Sequence, residues 1–316
     1  MRITAAQTQM SGRDDSAEVP DAVRLHQRSI PTDDGAELAP GTAVIGFACD
    51  AGVVRNQGRP GAAGGPAALR AQLGGLASHL AHPLYDAGDV ACVEDGLEQA
   101  QAELSTAIAA VIANGHRPVV LGGGHEVAWG SYLGIRSALR ARGEGTEGLA
   151  VVNIDAHFDL RSSDRPSSGT PFRQMAGISR SDGARFHYFC LGVSEAANTA
   201  ALFRTAEEIG TTYLTDMQMQ EVPRELLAEI AHAFEQIYLT VDLDALPSSA
   251  MPAVSAPAAL GVPPAVVLEC VRVLRDSGKL ILSDVAELNP VYDIDNRGAR
   301  LAARIVYEMI GDGASG

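Results

Sequence analysis

Unbroken apolar runs that end in glycine, histidine or acidic residues recur along this 316-residue chain, as in RPVVLGGG, GLAVVNIDAH, QIYLTVDLD and KLILSDVAEL. A strand that is apolar on both sides needs both faces of its sheet covered, and a parallel sheet between helices is the usual solution. TAVIGFA (42–48), LYDAGDV (84–90), RFHYFCLGV and TTYL add further strands, of which 212–214 is the weakest. Helical stretches at 65–80, 95–113, 126–140, 198–209, 222–234, 263–277 and 297–310 lie between most of them. Pro66 opens the first of these helices and Asn114-Gly115 closes the second. The alternation gives about eight strands in one α/β domain with helices on both faces. No internal repeat is present, and the Pro/Ala/Ser-rich stretch 245–265 is too short for a linker. The expected domain is 41–316, preceded by a polar, weakly patterned arm over 1–40.

Charge and cysteine usage narrow the function classes. With 24 basic against 39 acidic residues, the net charge of −15 argues against nucleic acid and anionic membrane surfaces as partners. No apolar run approaches a membrane span, and the first residues lack the apolar core of a secretory signal. Cys49, Cys92, Cys190 and Cys270 are widely separated, which fits reduced thiols in a cytoplasmic protein. The expected partner is a small-molecule substrate.

In sheets of this type ligands bind at the carboxyl ends of the strands. Those ends carry His125 in LGGGHE, then Asp155, His157 and Asp159 in NIDAHFD, Asp242 and Asp244 in TVDLD, and Glu287 in VAELNP. The i, i+2, i+4 spacing projects each set to one side if the backbone stays extended. Taken singly, a histidine after a glycine turn is commonly a loop residue, and Asp-Leu-Asp is commonly a helix cap. Three such sets on separate strand ends are different. Carboxylates gathered at the end of an apolar strand repel one another unless cations sit between them. Oxygen-rich ligation with two histidines and no cysteine suits Mn²⁺, Fe²⁺ or Co²⁺ better than structural zinc.

GGGHE, NIDAHFD and TVDLDAL resemble, in order, the three metal motifs of the arginase/agmatinase (ureohydrolase) family, over about residues 42–310. The resemblance implies a three-layer α/β/α sandwich around a mainly parallel, about eight-stranded sheet. It also implies two Mn²⁺ held by His125, Asp155, His157, Asp159, Asp242 and Asp244, with Glu287 accepting hydrogen bonds from a substrate amidinium. A homo-oligomer is the family expectation.

FACDAGVVRNQGRPGAAGGPAALR (47–70), YDAGDV, SSGTPFRQ (167–174) and the E-x-x-N-T pattern at 195–199 are similar to the formimidoylglutamase branch, which serves histidine degradation. A substrate with two carboxylates needs arginine forks beyond the metals. Arg161 follows ligand Asp159 by two residues, Arg173 lies in the SGTPFRQ loop, and Arg55 and Arg59 flank Asn56. Arg161, Arg173, Arg59 and Asn56 are the expected substrate contacts. Where arginases place a proton-carrying histidine, the matching position here is Phe172. Proton transfer to the leaving amine then falls to Asp159, while the metals activate a water for attack on the formamidine carbon. Two other readings compete: another amidinohydrolase acting on arginine, agmatine or guanidinobutyrate, and a metal-binding scaffold without activity.

Overall fold

Nine parallel strands lie side by side in one sheet among the described residues. The computed structural model describes residues 9–16, 18–19, 21–32 and 39–313. The strands are β1 (Ser29–Pro31), β2 (Thr42–Ala48), β3 (Leu84–Ala91), β4 (Arg117–Leu121), β5 (Leu149–Ile154), β6 (His187–Val193), β7 (Thr212–Thr215), β8 (Gln236–Asp242) and β9 (Leu280–Ala286). Their order across the sheet is β1-β3-β2-β4-β9-β8-β5-β6-β7. Every residue of β2 and β5 is buried, as their unbroken apolar runs require.

Ten α-helices accompany the sheet among the described residues. They are α1 (Leu25–Arg28), α2 (Ala51–Arg55), α3 (Gly65–Leu73), α4 (Leu97–Ala113), α5 (Val127–Ala141), α6 (Pro171–Ser181), α7 (Ala200–Ile209), α8 (Arg224–Ala233), α9 (Pro264–Asp276) and α10 (Arg297–Ile310). α3, α8, α9 and α10 pack in one core, whereas α4 to α7 pack in the other. Two cores separated by a sheet make the α/β/α sandwich.

Three details depart from the sequence reading. The helix expected over 65–80 stops at Leu73, where Gly74 and Gly75 follow. A Cβ at Gly74 would lie 2.4 Å from the Ser11 carbonyl, so the chain needs glycine there. SSGTPFRQ is not all loop, because Pro171 starts α6 and the helix buries Phe172, Met175, Ala176 and Ser179. The ninth strand comes from the expected arm: Leu25 is fully buried and Ser29–Pro31 pair with β3. Three residues in a polar stretch carry too little periodicity to be read as a strand.

Two of the family-like segments meet at this edge of the sheet. Arg70 of α3 is fully buried and binds Asp86 at 2.9 Å and Asp89 at 2.5 Å, both in β3. Leaving a buried guanidinium without these partners costs several kcal/mol, about 3–5. At the amino ends of the strands, cations meet helix C-termini. Arg117 donates to the Met309 carbonyl, Arg142 to Ile112 and Lys279 to Phe234.

Candidate metal centre

The sheet order explains why residues far apart in sequence converge. β4, β9, β8 and β5 are neighbours at its centre, and their carboxyl ends carry His125, Glu287, Asp242 and Asp155 respectively. His125 follows the glycine run 122–124, which passes so close to the carboxyl end of β2 that a Cβ on Gly123 would sit 1.8 Å from the Cys49 carbonyl.

Turns, rather than extended backbone, align the alternate side chains. β5 ends at Ile154, and the Asp155 carboxylate then accepts from the His157 amide at 2.6 Å. Asp242 accepts from the Asp244 amide at 2.8 Å and opens a single 3₁₀ turn. Asp159 and Glu287 have φ of +47° and +72°. Such left-handed backbone costs a non-glycine residue about 1–3 kcal/mol and marks a site held by its surroundings.

All six expected ligands come together. His125 Nδ1 lies 3.2 Å from Asp155, 3.0 Å from Asp159 and 3.0 Å from Asp242. His157 Nδ1 lies 3.0 Å from Asp244 and 3.6 Å from Asp155. Two ligand groups result, His125–Asp155–Asp159–Asp242 and Asp155–His157–Asp244, and Asp155 belongs to both. His125 Nδ1 and Asp244 Oδ1 are buried without a hydrogen-bond partner. Orphaned ligand atoms among four carboxylates, three buried and Asp159 half-buried, fit divalent cations well.

The electrostatics point the same way. Burial pushes Asp242 up, and the Asp244 charge adds to it. Asp159 is pushed up to about 6 by burial and the Asp155 charge. The Asp244 charge outweighs burial to lift His157 to about 12. The acidic cluster favours positive charge at its centre.

Glu287 accepts from the His125 amide at 2.9 Å through Oε1, while its Oε2 is buried and unpartnered. Burial, reinforced by the Glu126 charge, raises it to about 8.

A cavity of about 240 Å³ opens over the cluster, lined in addition by Asn56, Arg161, Ser168, Asn198 and Ser255. Among the described residues the Arg161 guanidinium has no carboxylate or carbonyl partner, and Asn56 donates to Ser168 at 3.1 Å. The other arginines are placed differently. Arg173 lines an adjoining recess that it shares with Arg161. Arg59 binds the Val254 and Ser255 carbonyls and lies 3.9 Å over the Tyr292 ring, so it braces loops and does not line the cavity. Arg55 pairs with Asp95 at 2.7 Å and Glu98 at 2.8 Å. Phe172 stacks on Tyr188 at 4.5 Å and meets the His125 ring edge-on at 5.4 Å. It gives His125 an apolar wall and offers no proton carrier.

Sequence reasoning missed some supporting residues. Asn198 grips the loop on both sides of His157, donating to the Ala156 carbonyl at 2.8 Å and accepting from the Phe158 amide at 3.1 Å. Thr240 approaches His125 Nε2 at 3.0 Å. The latter was detectable, since Thr240 stands two residues before Asp242 and therefore on the same face of β8.

Relatives share this arrangement of sequence and fold. The chain is 48% identical to a formimidoylglutamase of Cupriavidus pinatubonensis over 98% of its own length and 100% of the relative's. It is 49% identical to a formimidoylglutamase of Chromobacterium violaceum, covering 95% and 96% of the two chains. The crystal structure of Trypanosoma cruzi formiminoglutamase with two Mn²⁺ superposes with a TM-score of 0.76, at 29% identity, over 86% of this chain and 92% of that one. The arginase-family profile matches residues 40–311, and with those central strand ends and near full-length relatives the chain belongs to the arginase family.

Proposed function

We propose that this chain hydrolyses N-formimidoyl-L-glutamate to L-glutamate and formamide, with two Mn²⁺ as cofactors. His125, Asp155, Asp159 and Asp242 would hold one ion, and Asp155, His157 and Asp244 the other. The ions supply Lewis acidity and lower the pKa of water, so that a nucleophile exists near neutral pH.

The protein's own groups do the rest. Glu287, its Oε2 unpartnered, accepts charge-assisted hydrogen bonds from the formamidinium. Asp159 carries a proton to the amine that leaves as the C–N bond breaks. Arg161 pairs with a glutamate carboxylate, and Asn56 adds a neutral donor beside it. Arg173 meets the substrate at the cavity mouth; Arg59 acts through the 254–255 loop.

One observation carries the substrate assignment: an arginine without a carboxylate or carbonyl partner among the described residues lines the cavity of a strongly acidic protein. Agmatine, which has no carboxylate, would gain nothing from a cation there, and arginine brings one carboxylate where N-formimidoyl-L-glutamate brings two. The name shared by the relatives supports the same reading.

The test is to incubate Mn²⁺-loaded protein with N-formimidoyl-L-glutamate, arginine and agmatine while measuring formamide, urea and ammonia. Formamide and glutamate from the first substrate, with little urea from the others, is the expected result. Faster release of urea would overturn it.

We also infer a cytoplasmic setting, supported by four unbridged cysteines and by the absence of any described helix long and apolar enough to cross a membrane. Assembly with further copies is supported by the exposed apolar run of Val291, Tyr292 and Ile294.

A further inference from the structure

Arg55 is the last residue of α2, and the chain continues through Asn56, Gln57 and Gly58, which line the cavity. Arg55 itself does not line it. Its Nε donates to Asp95 Oδ1 at 2.7 Å, and its Nη1 donates to Glu98 Oε1 at 2.8 Å and to the Pro166 carbonyl at 3.1 Å. Its Nη2 donates to the Asp95 carbonyl at 2.8 Å and to Glu98 Oε2 at 3.1 Å. These bonds use every N–H donor that a guanidinium has. None is left for a substrate, and the side chain is only 8% exposed.

Pro166 belongs to the loop 161–169, which begins with the arginine that lines the cavity. The neck of that loop is closed where the Arg161 amide donates to the Gly169 carbonyl at 2.9 Å. Its far side is held by Arg55 at Pro166 and by Arg165, which pairs with Asp95 at 2.6 Å. Asp95 therefore receives two arginines, one from each segment that carries a substrate-facing side chain. A Cβ on Gly169 would lie 2.8 Å from Arg161 Cδ and 3.1 Å from Asn56 Nδ2. Arg161 and Asn56 thus pack against the same stretch of backbone, and Asn56 also donates to Ser168. A loop free to shift would lose the alignment of both donors.

We propose that Arg55 is a positioning residue for substrate selection: by fastening the 161–169 loop to the end of α2, it holds Arg161 and Asn56 side by side for one substrate carboxylate. The role rests on the substrate reading given above. Fixing a recognition pair in advance lowers the ordering cost of binding. A compound without carboxylates has no use for the arrangement, so loss of Arg55 acts selectively.

The test compares hydrolysis of N-formimidoyl-L-glutamate with that of an N-alkylformamidine lacking carboxylates, alongside manganese content. Arg55→Gln should raise KM for the first roughly tenfold, about what one charge-assisted hydrogen bond contributes, and keep kcat within about twofold. The kcat/KM for the alkylformamidine and the manganese content should stay near those of the unaltered protein. Arg55→Lys keeps the charge, but a compact ammonium cannot span Asp95, Glu98 and Pro166, so its KM should rise nearly as far. In the Arg161→Met background Arg55→Gln should add little, because the group that it positions is gone.

Equal losses on both compounds would make Arg55 a support of the whole fold and overturn the proposal. So would an Arg55→Lys protein with unchanged KM, since charge alone would then be at work, and so would an undiminished effect in the Arg161→Met background. Should the Arg55 variants fail to fold, Asp95→Asn decides, because Asp95 is 56% exposed and its charge serves both arginines. A KM raised about two- to fivefold, the scale of an exposed ion pair, supports the role, and an unchanged KM overturns it. If the unaltered protein releases no formamide from N-formimidoyl-L-glutamate, the substrate reading falls and this role with it. Normal turnover with unaffected variants removes the role of Arg55 only.

Discussion

The His125 backbone amide donates to Glu287 Oε1 at 2.9 Å, so the residue proposed to receive the substrate amidinium is braced by the loop that carries a candidate metal ligand. The bond spans β4 and β9, neighbours in the sheet, and leaves Oε2 as the free oxygen.

Glu287→Gln should therefore keep the brace, since the amide oxygen still accepts from His125. Manganese content should stay near that of the unaltered protein. Turnover should fall roughly tenfold to a hundredfold, the equivalent of about 1.5–3 kcal/mol for one charge-assisted hydrogen bond. Steady-state kinetics alongside elemental analysis make the check, and unchanged kinetics would remove Glu287 from substrate binding.

Asp155 belongs to both ligand groups, whereas Asp244 belongs to one. Asp155→Ala should lose manganese from both positions, and Asp244→Ala should retain about half of the bound metal. Mass spectrometry of the metal content under native conditions separates the two results. Two ions bound to Asp155→Ala would contradict the shared role.

How far the sequence discloses this site depends on the distance over which each feature is encoded. The six candidate ligands are legible because polar residues at i, i+2 and i+4 at the end of an apolar run are a local pattern. Their common mistake lies in the backbone: the carboxylate-to-amide turns at Asp155 and Asp242, not an extended strand, bring the side chains together. α6 was hidden because Gly169, Thr170 and Pro171 read as loop, although the same proline is a good first helical residue. The fate of Arg59 was not encoded nearby at all. Its partners are Val254, Ser255 and Tyr292, about two hundred residues away, and only the folded topology brings them to it.

A stability prediction follows from Glu308 in α10. It is buried and bonded to Arg272 at 2.8 Å, Arg275 at 3.2 Å and also Arg304. Burial alone would raise its pKa, but Arg272 and Arg304 outweigh it and hold the carboxyl down to about 2. The folded value lies below the unfolded one, so the stabilisation is complete above about pH 4.5 and is lost as pH falls toward 2. Glu308→Gln should cost about 2–3 kcal/mol at pH 7. By pH 3.5 the gap should have narrowed by about 1 kcal/mol. Urea unfolding of both proteins at the two values tests this, and a gap independent of pH would show that Glu308 acts by packing.

Substrate choice gives the last prediction. Arg161 lines the cavity without an ion-pair partner among the described residues, while Arg55 is held by Asp95 and Glu98. Arg161→Met keeps the length and apolar stem of the side chain and removes its charge. Folding and manganese content should be spared, because no structural hydrogen bond of the guanidinium is lost. The KM for N-formimidoyl-L-glutamate should rise steeply. A substrate carboxylate left partly desolvated and unpaired costs about 2–5 kcal/mol by analogy with charge pairs at interfaces. Arg173→Met should have a smaller effect that fades with added salt, since its recess lies outside the main cavity and screening weakens exposed charges. An N-alkylformamidine lacking both carboxylates provides the control, and its slow hydrolysis should hardly respond to either change. If Arg161→Met slows both compounds equally, Arg161 supports the site and does not read the substrate. If turnover of N-formimidoyl-L-glutamate survives both substitutions, the carboxylates are recognised elsewhere, and the argument from the unpaired arginine fails.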